Sequence, residues 1–169
     1  RRVLFRSSLV ELLQEIPDFK SHLEIKLMGA VSQEVLETIS QFGLNSYLNN
    51  LGYVSHAVAV EHQRKSQVLL LIEINSEDTK SIIPGKLFEY MVSERPIVAI
   101  GPKDSDFAEI ITNTNTGVFF DYSEKARLKQ TILDYYTQFL EGKLQSNGVG
   151  LQHYSRKNLT KQLVELINQ

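Results

Sequence analysis

Two short runs without a single polar residue, Val68-Leu69-Leu70-Leu71-Ile72 and Ile97-Val98-Ala99-Ile100, constrain this chain most. A strand that is apolar at every position is covered on both faces, which is the condition of a parallel sheet flanked by helices. Between the two runs lie a polar loop and one helix-length segment opened by Pro84 and Gly85, the content of one crossover. The same rhythm extends in both directions. Leu23 to Met28 reads as a strand closed by Gly29, and Val31, Val35, Leu36, Ile39 and Phe42 follow helical spacing up to Gly43. Tyr47 to Val54 carries a short strand around Gly52, and Ser55 is placed to cap a helix through Lys65. Beyond Ile100 come a helix from about Asp104 to Thr112, a strand from Gly117 to Phe120, a helix from Glu124 to Glu141, and a final helix from about Tyr154 to Ile167. The expectation is an α/β fold with a doubly wound parallel sheet, binding its ligand outside the carboxyl ends of the strands.

The beginning of the chain departs from that pattern. Leu4, Phe5, Leu9, Leu12, Leu13 and Ile16 keep helical spacing as far as Pro17-Asp18, whereas a doubly wound half begins with a strand. Either Val3-Leu4-Phe5 is that strand with Arg6-Ser7-Ser8 as its exit, or the first strand is missing. The unbroken spacing favours a helix and a missing strand. With 169 residues and one linker-like segment, Gly142 to Gly150, the chain reads as a single domain, residues 1–169, cut from a longer protein.

Composition narrows the function classes. Eighteen basic and 20 acidic residues give a formal net charge of −2, so no global field draws nucleic acid or an anionic membrane. With no cysteine there are no disulfides and no thiolate metal sites, as befits a reducing cytoplasm. The aliphatic runs are too short to cross a bilayer, and the first residues carry no signal-peptide pattern. His22, His56, His62 and His153 lack metal-ligand spacing and read as surface or capping residues, so no metal is expected. There is neither a Walker loop nor a GxGxxG fingerprint.

The chemistry concentrates in Lys80-Ser81-Ile82-Ile83-Pro84-Gly85-Lys86-Leu87-Phe88-Glu89-Tyr90-Met91. A helix start presents unpaired N–H groups and partial positive charge, so a lysine in the first turn is unfavourable unless an anion lies beside it. Here that turn holds Lys86 and no acid, and Gly85 admits a ligand close to the backbone. Helical spacing sets Lys86, Glu89 and Ser93 on one face and Leu87, Phe88, Met91 and Val92 on the core side. A carboxylate one turn behind a phosphate site suits the vicinal hydroxyls of a ribose. The simpler alternative is that Lys86 and Glu89 form an exposed ion pair worth a few tenths of a kcal/mol, on the order of 0.3.

Pro84-Gly85-Lys86-Leu87-Phe88-Glu89-Tyr90-Met91 followed by Arg95-Pro96-Ile97-Val98-Ala99 resembles the donor-binding segment of GT-B glycosyltransferases of the family 4, group 1 kind. Glu109-Ile110-Ile111 through Thr116-Gly117-Val118 resembles the element that follows it. Upstream, Ile25-Lys26-Leu27-Met28-Gly29, Leu51-Gly52-Tyr53-Val54-Ser55-His56 and Ser66-Gln67-Val68-Leu69-Leu70-Leu71 resemble earlier elements of the same half. The likeness spans most of Leu23 to Tyr122; each part is loose, and the order and spacing carry the specificity.

The resemblance implies a Rossmann-like C-terminal half of a GT-B fold that binds a nucleotide-diphosphate sugar and needs no other cofactor. It assigns Glu89 to the ribose, and Pro84, Gly85 and Lys86 to the diphosphate. Tyr53, Val54 and Ser55 fall near the base, and Arg1, Arg2 or Arg6 is the phosphate-binding arginine, with Arg2 taken as the representative. The final helix resembles one that crosses back to an N-terminal acceptor domain, the implied partner. That partner would be required for sugar transfer, so the fragment alone is expected to be inactive, and membrane association of the full-length protein stays open. One departure stands out: the family usually carries a second glutamate, near the transferred sugar, at the position of Ser81. Glu77 or Asp78 in the preceding loop is the available substitute. A GT-B-like nucleotide-sugar epimerase and a non-catalytic α/β interaction domain are the competing readings.

Overall fold

The computed structural model describes residues 3–168 and is mixed α/β, with helices alternating with short parallel strands. The chain clusters into two compact units, residues 1–65 with 122–144, and residues 66–121 with 145–169. The strands are parallel as expected, but they divide into a two-stranded and a three-stranded sheet.

The first unit begins with α1 (Val3–Glu15), so Val3 to Phe5 is helical and the helical spacing of the sequence holds. A short α2 (Phe19–His22) follows, then β1 (Ile25–Leu27), α3 (Gln33–Gln41), β2 (Leu48–Asn50), α4 (His56–Lys65) and, later in the chain, α7 (Lys125–Leu140). Strands β1 and β2 pair in parallel with Ile25 opposite Leu48 and Leu27 opposite Asn50. Leu9 and Leu12 of α1, Phe19, Ile39, Leu44 and Tyr136 of α7 form the core, and the Phe19 ring meets Tyr136 edge-on at 5.0 Å between centroids. Across the same helix pair Glu11 binds Lys125 and Lys129, and Lys129 also binds Glu15 at 2.6 Å.

The second unit holds β3 (Leu69–Ile72), α5 (Gly85–Met91), β4 (Ile97–Ile100), α6 (Asp106–Thr114), β5 (Gly117–Phe120) and α8 (Arg156–Ile167). Its sheet runs β3-β4-β5, parallel throughout, with Leu69 opposite Ile97 and Ile97 opposite Gly117. Every residue of the central strand β4 is buried, which accounts for its wholly apolar sequence. One sheet face, Leu71, Ile97 and Ala99, packs against Leu87 and Met91 of α5 and Phe107, Ile110 and Ile111 of α6. Both crossover helices therefore lie on that face, as right-handed connections between sequential strands require. A 3-10 turn at Leu151–Tyr154 adds Leu151 and Tyr154 to the rim of this core.

Two local expectations are corrected. The short strand expected around Gly52 lies just before it, at Leu48–Asn50, because Gly52 turns the chain at φ 63° and a 3-10 turn occupies Asn45–Tyr47. The helix expected to carry Val92 and Ser93 ends at Met91, so Val92 is 60% exposed rather than in the core. No helix among the described residues is long and apolar enough to cross a membrane.

Candidate functional site

The segment at the carboxyl side of β3 is built on backbone hydrogen bonds. Glu73 N–H donates to the Ile100 carbonyl at 2.9 Å and extends the β3–β4 ladder by one residue. The Thr79 hydroxyl then donates to the carbonyls of Ile74 at 2.6 Å and Ser76 at 2.8 Å, closing the loop around a 3-10 turn at Glu77–Thr79. Asp106 N–H donates to the Lys80 carbonyl at 2.9 Å, joining this loop to the start of α6. The polypeptide that leads into α5 is therefore fixed at both of its flanks.

Helix α5 begins where the sequence places it. Pro84 is the N-cap, extended at φ −61° and ψ 129°, and its carbonyl accepts the Leu87 N–H at 2.9 Å. Gly85 and Lys86 are exposed, with nothing within 4 Å of a Cβ built on Gly85. Leu87 is fully buried and anchors the helix, while Glu89 and Tyr90 are half-buried one turn further on. Burial raises the Tyr90 phenol above its ordinary value, and the Glu89 carboxylate adds to the shift. Lys86 makes no ion pair among the described residues, so the simple i,i+3 pair with Glu89 is not formed.

Ser93, expected beside Lys86 and Glu89, is instead 7% exposed. Its hydroxyl donates to the Tyr90 carbonyl at 2.6 Å and accepts the Arg95 N–H at 3.3 Å, which makes it a turn residue. The turn needs Glu94 at φ 61°, a left-handed conformation that glycine adopts more readily. Ser81 is exposed at the end of the loop. Of its two acidic neighbours, Glu77 is ion-paired to Lys80 at 2.8 Å and Asp78 is exposed.

Tyr53, Val54 and Ser55 belong to the other unit, in the loop beyond the carboxyl end of β2. That loop is tied to the one after β1 by the Gly29 N–H, which donates to the Gly52 carbonyl at 2.7 Å. Tyr53 presents its ring almost bare, at 93% exposure. Ser55 caps α4 as the sequence implies, its hydroxyl accepting the Val58 N–H at 3.4 Å. Arg2, with Arg1, lies outside the described residues, and Arg6 is buried on α1.

Two features were invisible in the sequence. The Lys80–Asp106 backbone link depends on how two loops fold, and no side-chain pattern announces it. Ser105, the N-cap of α6, keeps its hydroxyl buried without a hydrogen-bond partner among the described residues, while its carbonyl accepts the Ala108 and Glu109 N–H groups at 3.0 and 3.2 Å. Among the described residues no three His, Asp or Glu side chains gather into a metal site. Compared with known proteins, the chain matches no protein-family model and no curated sequence.

Proposed function

We propose that this chain is the donor-binding half of a glycosyltransferase that moves a sugar from a nucleotide-diphosphate sugar to an acceptor. One observation carries the reading: Lys86 stands exposed in the first turn of α5, without an ion pair among the described residues, and Glu89 is half-buried one turn behind it. A lysine in a first turn opposes the helix dipole, and Lys86 has no ion-pair partner among the described residues, whereas a diphosphate there would satisfy both. The location supports it, since α5 follows the loop at the carboxyl side of a parallel strand, where open α/β sheets hold their ligands.

In this account Gly85 and Lys86 hold the diphosphate and stabilise the charge that develops on it as the sugar departs. Glu89 accepts the ribose hydroxyls, and Pro84 fixes the entry angle of the helix. The acceptor and the rest of the catalytic groups come from a partner half. The final helix supports that division: α8 has no buried residue, and Leu159, Leu163, Val164, Leu166 and Ile167 are exposed on it.

Calorimetric titration of the chain with UDP, GDP and ADP, then with their common sugar conjugates, tests the proposal. Saturable binding of one nucleotide that is lost in Glu89→Ala is expected. Binding that survives Glu89→Ala unchanged removes the ribose role, and the absence of binding by any nucleotide or conjugate removes the donor-site reading.

A further inference from the structure

Helix α5 has seven residues, too few to keep its shape alone in water, so its place is set by what it packs against. Leu87 and Met91, one turn apart, are buried against the sheet and α6. One such line of contact fixes where a helix lies but leaves it free to roll. The roll is fixed by two half-buried aromatics on either side of the line, Tyr90 and Phe88, both packed on the edge of the same core. Phe88 takes its support from a distant part of the chain. Its ring meets that of Tyr154 at 6.2 Å between centroids, with 37° between the planes. Phe88 and Lys86 are roughly 200° apart around the helix axis, so this contact holds the flank turned away from Lys86.

Tyr154 is itself held. It ends the 3-10 turn Leu151–Tyr154, which opens on Gly150 at φ 67° and is closed by the His153 N–H on the Gly150 carbonyl at 3.0 Å. The residues just before that turn are tied down between α6 and β5. Val149 N–H donates to the Thr114 carbonyl at 2.8 Å, and the Asn115 side-chain amide donates to the Asn147 carbonyl at 3.1 Å. Gly148 passes so close that a Cβ built on it would stand 3.1 Å from Thr116 Cγ2. Thr114 and Thr116 are both buried, with their hydroxyls 2.9 Å apart. This strap is therefore anchored in the interior of the unit, and it ends by laying one ring against the helix that carries Lys86 and Glu89.

We infer that Tyr154 is a positioning residue: through Phe88 it fixes the roll of α5, and with it the direction in which Lys86 and Glu89 are presented. The bracing is a matter of packing within the second unit, and its consequence for a ligand rests on the donor-site reading. The contact is between rings, so phenylalanine at this position keeps it.

Backbone relaxation measurements by NMR, with titrations of UDP, GDP and ADP, on the parent, Tyr154→Ala and Tyr154→Phe test this. Melting curves set a temperature at which all three are folded. In Tyr154→Ala the α5 amides should gain μs–ms relaxation dispersion that the parent lacks, while the β4 amides stay as they are. The nucleotide that binds the parent should bind this variant about tenfold more weakly. Tyr154→Phe should match the parent in both readings. A loss of stability alone moves neither of them while the variant is folded. If the α5 amides of Tyr154→Ala are as quiet as the parent's, the brace is wrong. If they become mobile and nucleotide affinity stays parental, the positioning role is wrong and the donor-site reading stands. If the parent binds no nucleotide, the donor-site reading falls and the role at the site with it, while the dispersion still decides the brace.

Discussion

Gly117 lies directly opposite Ile97 in the β4–β5 ladder, and a Cβ built on it would fall 2.1 Å from the Ile97 carbonyl oxygen. The obstructing atoms are backbone, including the Ile97 carbonyl carbon at 2.7 Å, so no rotamer change relieves the clash. Gly117→Ala should therefore push β5 away from the central strand and destabilise the second unit by ~1–3 kcal/mol. Urea unfolding would show a lower midpoint; a midpoint equal to the parent's would mean that this ladder is less tightly held than described.

Glu94 provides a test in the opposite direction. It is exposed and holds φ 61° in the turn between α5 and β4. A left-handed non-glycine residue costs ~1 kcal/mol or more, which glycine avoids, although glycine also loses more entropy on folding. Glu94→Gly should leave the melting temperature unchanged or raise it by a few degrees, roughly 2–4. A clear fall would show that the Glu94 side chain contributes something the strain argument omits.

The α1–α7 pairing should make stability depend on pH. Hydrogen bonds from Lys125 and Lys129 hold the Glu11 carboxyl below its ordinary value of 4.5. A lowered folded value means that the contribution is complete above 4.5 and disappears as pH falls through the folded value. Lys129, held above 10.5 by Glu15 and Glu11, contributes below that value and loses its contribution as pH rises through the raised one. Glu11→Gln should thus lower the melting temperature slightly at neutral pH, with the difference shrinking in acid and in concentrated salt. A difference that persists in acid would point to lost packing instead of lost charge.

Periodicity revealed what periodicity encodes. The apolar runs around Leu69–Ile72 and Ile97–Ile100 announced strands, of which β4 is buried on both faces while β3 buries Leu69 and Leu71 and leaves Leu70 and Ile72 half-buried, and the spacing from Leu4 to Ile16 announced a helix. The cap at Ser55 was legible because a side-chain acceptor three residues before an N–H is a local signal. The division of the strands into two sheets was not, since pairing partners are chosen by contacts distant in sequence. Val92 and Ser93 were misplaced for a different reason. Their spacing continues the α5 pattern, but the helix gives way at Val92 to a turn that holds Glu94 in a left-handed conformation, and nothing in a glutamate marks that conformation. At the candidate site the residue types around Pro84 to Glu89 were readable, whereas the pairing of Lys80 with Glu77 and the absence of one between Lys86 and Glu89 depended on side-chain geometry.

The most direct test of the account compares a ribonucleoside diphosphate with its 2′-deoxy counterpart, titrated into the parent and into Glu89→Ala. If Glu89 accepts the ribose hydroxyls, removing the 2′-hydroxyl should weaken binding to the parent about tenfold, as losing a hydrogen bond to a charged group does. The same removal should have little effect in Glu89→Ala, where the acceptor is already gone. Equal affinity of the parent for both nucleotides would contradict the assignment of Glu89, and with it the central claim that this helix reads a nucleotide.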